Sequence, residues 1–292
     1  MKLGTLCPAC TALYGVNIAG LVLSRMVAQE GYGDSLRRFS ERFLELGGST
    51  TVAVYIMALF GVATAGHFGL SALGEALGGA AKETPGMADA WVQESYVAAP
   101  VADEAAFEAL WEGGAHEGAK QPLVRIVELS DFECPFCGKL APSVQGVVKA
   151  FPKEVGVVFR HNPLDQACNP KVKKKFHDTA CGAAYAGVCA EKEGKFWEMH
   201  DKMFENSTAL TGPNLVKWAG ELGMDGSSFE ACMGSPETKA RVEADLKLGS
   251  DVGLKGTPLL VINGRLVSGA VSEERLKAVV RYEIRRAQGF GG

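Results

Sequence analysis

Apolar positions are spread unevenly along this chain. Near the N-terminus, Leu3 to Ser24 lies between Lys2 and Arg25 with no charged side chain, and Leu46 to Gly74 lies likewise between Glu45 and Glu75. Each stretch is long enough to cross a hydrocarbon core of about 30 Å, which takes about 20 helical residues. The first also fits a signal peptide, having Lys2 and an apolar core, but no clear small-x-small cleavage site precedes Arg25. Arg25, Arg37, Arg38 and Arg42 fill the loop between the stretches, which favours the cytoplasmic side for that loop. The N-terminus and everything after Gly74 are then expected outside the membrane.

Beyond Gly74 the pattern changes. Residues 78–121 are rich in Gly, Ala and Glu and read as a tether, with a short helix over Asp103 to Trp111. Leu123 to Leu129 is apolar and β-branched between Pro122 and Ser130, the pattern of a buried strand. Gly138 to Phe151 has helical character, and Val155 to Arg160 reads as a second strand. An insertion that reads as all-helical follows from about 170 to 253. Leu259 to Ile262 and Arg265 to Ser268 read as a hairpin on the turn Asn263-Gly264. Ser272 opens an amphipathic helix ending near Ala287. The expected organisation is a two-helix membrane segment (1–77), a linker (78–121), and an α/β domain with a helical insertion (122–292).

The 292 residues carry a net charge of −4 and no basic stripe, which leaves no platform for a nucleic acid. The run Lys171 to Lys175 reads as a solvated face. Eight cysteines are many for a reducing compartment and point to an oxidising space or to redox chemistry.

Cys134-Pro135-Phe136-Cys137 falls where the first strand of the domain gives way to its helix. A cysteine at a helix N-terminus faces unpaired N–H groups and the positive end of the helix dipole, both favouring the reactive thiolate. Pro135 suits the first helical turn. The spacing puts both sulfurs on one turn, so that Cys137 can resolve a mixed disulfide at Cys134. A zinc site would want a second such pair, and Cys7 and Cys10 lie in an apolar segment, so no metal is expected. His161 and His200 read as packing residues. Cys168, Cys181, Cys189 and Cys232 lie in or beside the insertion. Cys181 and Cys189 are about 12 Å apart along one helix, too far to bond. Of the two remaining schemes, the short loop Cys168–Cys181 is favoured, leaving Cys189 and Cys232 paired or buried free.

Two family resemblances add to this. The string from Gly194 to Phe204, Gly256-Thr257-Pro258, and Asn263-Gly264-Arg265 are similar to the DsbA-like thioredoxin-fold oxidoreductases. That resemblance, covering about Pro122 to Ala287, implies a thioredoxin fold with an inserted helical domain. It implies that Thr257 and Pro258 form a cis-proline loop packing on the cysteines and pairing with substrate backbone. Glu128, six residues before Cys134, would be a buried carboxylate relaying the proton of Cys137. Pro142 would kink the active-site helix. The exchange itself would need no cofactor. Phe136 stands where strong oxidants of the family carry a histidine, which implies a weaker oxidant.

The other resemblance runs from Leu6 to Asn17, where Cys7, Cys10, Tyr14 and Asn17 are similar to the active-site helix of bacterial vitamin K epoxide reductases. The helices completing that family's quinone-binding bundle do not precede it. The implied protein is a truncated fusion in which Cys7 and Cys10 form a second redox pair and quinone acts only through a fuller membrane partner. The function expected is disulfide formation in cysteine-containing envelope proteins, from the inner membrane with the C-terminal domain in the periplasm or outside. Reduction or isomerisation of disulfides in the same space is the alternative, and a membrane-anchored chaperone-like binding protein without redox turnover is a third.

Overall fold

The computed structural model describes residues 83–289. Both apolar stretches expected to cross a membrane, with Cys7 and Cys10, lie outside the described residues. Among the described residues no helix is long and apolar enough to cross a membrane.

The centre is a five-stranded sheet in the order β1-β3-β2-β4-β5, formed by Ala115–Gly118, Val155–His161, Val124–Ser130, Leu259–Ile262 and Arg265–Ser268. β2 and β3 run parallel, and the remaining neighbours are antiparallel. β2 and β3 are buried on both faces, as their near-continuous apolar runs require. Ile126 and Val157 point to one face, where they meet Leu140 and Val144 of α3 (Pro135–Ala150) and Leu276 and Val280 of α9 (Glu273–Ala287). Val127 and Val158 point to the other, against Phe107 and Leu110 of α2 (Glu104–Trp111) and Leu248 of α8 (Pro236–Asp251). Asn263 takes φ 44° and Gly264 φ 88°, the left-handed pair that a two-residue hairpin demands. The Ser272 hydroxyl caps α9 by accepting from the Arg275 N–H.

Between β3 and β4 the chain makes α4 (Ala180–Lys192), α5 (Phe196–Glu205), α6 (Gly212–Glu221), α7 (Gly226–Gly234) and α8. The first four share a core that includes Met199, Met203, Leu215 and Trp218, and it reaches the sheet through Phe132 and Phe159.

The expected tether is corrected by the structure. The compact unit begins at Glu83 rather than 122. Thr84 caps α1 (Pro85–Trp91), a π-helical turn over Val92–Tyr96 continues it, and Ala88, Val92 and Tyr96 are buried in the α3–α9 core. The Tyr96 hydroxyl donates to the buried Glu283 carboxylate at 2.9 Å. Ala115–Gly118 is the sheet's edge strand rather than linker. The short helix expected over Asp103 to Trp111 is α2, with Asp103 as its cap.

Candidate active site

Cys134 is the cap residue of α3, extended at φ −76° and ψ 121°, with Pro135 on the first turn. Its N–H donates to the Asp131 carbonyl at 3.1 Å, closing a tight turn after β2. Its sulfur lies 3.6 Å from the Thr257 carbonyl, and the Thr257–Pro258 peptide bond is cis. Cys137, one turn along, is fully buried and accepts a 3.5 Å hydrogen bond from the Asp131 N–H. The structure therefore brings Cys134, Cys137, Thr257 and Pro258 together. Pro142 lies inside α3, where it removes one backbone donor.

The two thiols differ in acidity. A hydrogen bond from the Cys137 thiol, with the backbone N–H groups of Cys137 and Phe136, brings Cys134 down to about 5, against an opposing contribution from burial. Burial, then the neighbouring Cys134 sulfur, pushes Cys137 far up. One helical turn thus holds a thiolate and a protonated thiol side by side.

Glu128 shares the α3 face of β2 with Ile126, because alternate residues of a strand face the same side. It stands in register with Leu260, two residues beyond Pro258. Neither carboxylate oxygen has a hydrogen-bond partner among the described residues, and burial pushes its pKa up.

The structure adds residues that the sequence reading missed. His177 Nδ1 lies 2.8 Å from Asp131 Oδ2. Asp131 also accepts from the N–H groups of Glu133 and Leu164 at 2.8 and 2.7 Å. Glu133 in turn accepts from the N–H and hydroxyl of Thr179 at 2.9 and 2.8 Å. Phe176 stacks on His177 with ring centroids 4.2 Å apart. Phe136 and Phe176 are 56% and 65% exposed, leaving two bare aromatic rings on segments bound to the Asp131 turn. The contacts to Asp131 and Glu133 join segments 46 residues apart and leave no periodic trace in the sequence.

Cys168 is bonded to Cys181, and Cys189 to Cys232. His161 and His200 are buried among Phe132, Phe159 and Phe196, and burial brings His161 down to about 4.

Comparisons with known proteins agree with this architecture. Residues 125–281 match the family model of the DSBA-like thioredoxin domain. A thioredoxin-like oxidoreductase from Silicibacter pomeroyi superposes with a TM-score of 0.52 at 26% identity, covering 62% of this chain and 97% of that one. BdbD from Bacillus subtilis, in its oxidised form, gives 0.52 at 18% identity over 64% of this chain and 97% of its own, a likeness of fold. Among curated sequences, Na(+)/H(+) antiporter NhaA 3 of Salinispora tropica is 31% identical over 163 residues, 56% of this chain. The chain spans about a quarter of the length of the curated relatives it matches, 24% for that antiporter. The fold and the paired cysteines at the start of α3 define a thioredoxin-fold domain. The chain belongs to the DSBA-like thioredoxin domain family.

Proposed function

We propose that the chain is a membrane-anchored enzyme forming disulfides in envelope proteins through Cys134 and Cys137. The observation that carries this reading is the split between an acidic Cys134 and a buried, protonated Cys137 on one turn. In the oxidised enzyme a substrate thiolate attacks Cys134 Sγ, the Cys134–Cys137 bond breaks, and Cys137 leaves and takes up a proton. A second substrate thiolate then attacks the substrate sulfur of the mixed disulfide, and Cys134 leaves as a thiolate. Two electrons pass from substrate to enzyme, and the more acidic leaving thiol departs faster. Glu128, on the strand beneath α3, is the group proposed to supply and later accept the Cys137 proton. The carbonyl of Thr257 and the ring of Pro258 bound the space in which the substrate strand would lie.

Reoxidation requires an outside disulfide. Cys7 and Cys10 are proposed for that role, with quinone entering through a fuller membrane partner. Anchoring rests on the two N-terminal apolar stretches, and the envelope location on the arginine-rich loop between them. Ion transport is not proposed, since the overlap with the antiporters spans about a quarter of their length.

The test is the reduction potential of the Cys134–Cys137 pair in the purified full chain, equilibrated with glutathione and read peptide by peptide. A value near about −120 mV supports a disulfide donor, whereas one near about −270 mV reverses the flow and makes the protein a reductase. The second reading is favoured by Phe136, which puts no cation between the cysteines. Cys134→Ser should abolish turnover in either direction. Turnover that persists in that variant would overturn the reading that Cys134 carries the exchange.

A further inference from the structure

We propose that His177 is a positioning residue for the exchange reaction: held on Asp131 and protonated, it supplies from another segment the positive charge that Pro135-Phe136 lacks, and so favours Cys134 as a thiolate leaving group. The proposal rests on Cys134 being the attacked cysteine.

Asp131 sits at the hinge of the site. Its backbone N–H donates to Cys137 Sγ, and its carbonyl accepts from the Cys134 N–H. Its carboxylate is wholly buried, only three residues from Cys134. Left alone, that negative charge would oppose a thiolate beside it, because like charges in a poorly solvated site disfavour each other's ionisation. His177 meets this carboxylate at 2.8 Å, with its side chain only 10% exposed. A protonated ring there cancels the charge of Asp131 and leaves the helix terminus to act on Cys134 unopposed.

The segment that delivers His177 is fixed at several points. It is closed by the Cys168–Cys181 disulfide, 13 residues apart, and pinned to the active-site turn by Thr179 on Glu133. Phe176 covers one face of the imidazole. The ionisable groups facing His177 are Asp131, Glu133 and Cys134, all of which favour its charged form, the hydrogen bond to Asp131 first, against an opposing contribution from burial. The nearby Lys175–Asp178 ion pair lies at the exposed surface.

The test uses the purified full chain in its reduced form, measuring the alkylation rate of Cys134 against pH by peptide mass spectrometry. His177→Gln keeps a hydrogen bond to Asp131 and removes the charge. The midpoint should rise by about one pH unit, with a roughly tenfold smaller thiolate fraction below it. His177→Lys should return the midpoint toward the starting value. An unchanged midpoint in His177→Gln, with Cys168–Cys181 still joined, would overturn the proposal.

Should that variant not fold, the unaltered chain decides. Linkage is reciprocal, so the histidine NMR titration of His177 should move upward when the Cys134–Cys137 disulfide is reduced. Identical titrations in the two redox states would equally sink the idea. Loss of activity in Cys134→Ser combined with a null result at His177 rejects this proposal alone, whereas activity surviving in Cys134→Ser rejects the reading beneath it.

Discussion

Arg160 and Asp245 form an ion pair at 2.9 Å with both side chains almost wholly buried, at 3% and 0% exposure. Arg160 also donates to the carbonyls of Ala109, Leu110 and Glu112, and Asp245 accepts from the His161 N–H at 3.1 Å. One buried pair therefore joins β3, the end of α2 and the insertion helix α8. Breaking it from one side leaves a desolvated charge, whereas replacing both partners by apolar groups does not. Asp245→Ala should cost about 3–5 kcal/mol and the double change Arg160→Met with Asp245→Leu much less. Urea unfolding midpoints of the three proteins would check this, and equal losses would refute it.

Glu128 is expected to trade stability for turnover. Its buried carboxyl meets no hydrogen-bond partner among the described residues, so Glu128→Leu should raise stability by about 1–3 kcal/mol at pH 8. The sign with pH follows from a folded pKa raised by burial. The proton is held more tightly in the folded chain, so the wild type loses stability as pH climbs from the ordinary carboxyl range through the raised value. The advantage of the variant should accordingly shrink toward pH 4. Turnover should fall by about 10²-fold as the proton relay is lost. A variant that is both more stable and fully active would remove Glu128 from the mechanism.

The reduced enzyme should outlast the oxidised one by a margin that depends on pH. Cys134 titrates at about 5 when folded, well below an ordinary thiol. A depressed folded pKa contributes stability that is present above the unfolded value and lost as pH falls through the folded one. The gap in Tm between reduced and oxidised protein should be widest near pH 8 to 9 and close toward pH 5. Thermal unfolding across that range gives the answer, with Cys134→Ser as the control in which the trend disappears.

Gly187 on α4 makes room for His161. A Cβ there would lie 2.5 Å from the imidazole Cε1 and 3.4 Å from the Phe132 ring. Gly187→Ala should cost about 1–3 kcal/mol through overpacking, although alanine favours a helix by about 1 kcal/mol. A stabilised variant in a thermal melt would show that the ring can step aside.

Features legible in the sequence were those whose signal is local. The strand before Cys134, the proline on the first turn of α3, Asn263-Gly264 and the cap at Ser272 each declare themselves within a few residues. Asp131 and His177 were opaque because their meeting depends on how a loop folds back. The segment from Glu83 was misread for a different reason. Its Gly, Ala and Glu content resembles a flexible spacer, and Ala115–Gly118 contains no β-branched residue, yet Thr84 with Pro85 is a helix start in plain sight. What makes that segment structural is the burial of Ala88, Val92 and Tyr96, which composition alone does not reveal.

The hydrogen bond from Tyr96 to Glu283 separates two things often taken as one. The homologous stretch begins at Arg125, but the piece that holds together begins at Glu83. A gene fragment begun at Arg125 and continued to the C-terminus would leave Glu283, 1% exposed, without the hydroxyl that meets it, and would strip a layer from the α3–α9 core. The unit that is inherited and the unit that folds differ here by some forty residues, and any excised version of this enzyme has to respect the larger.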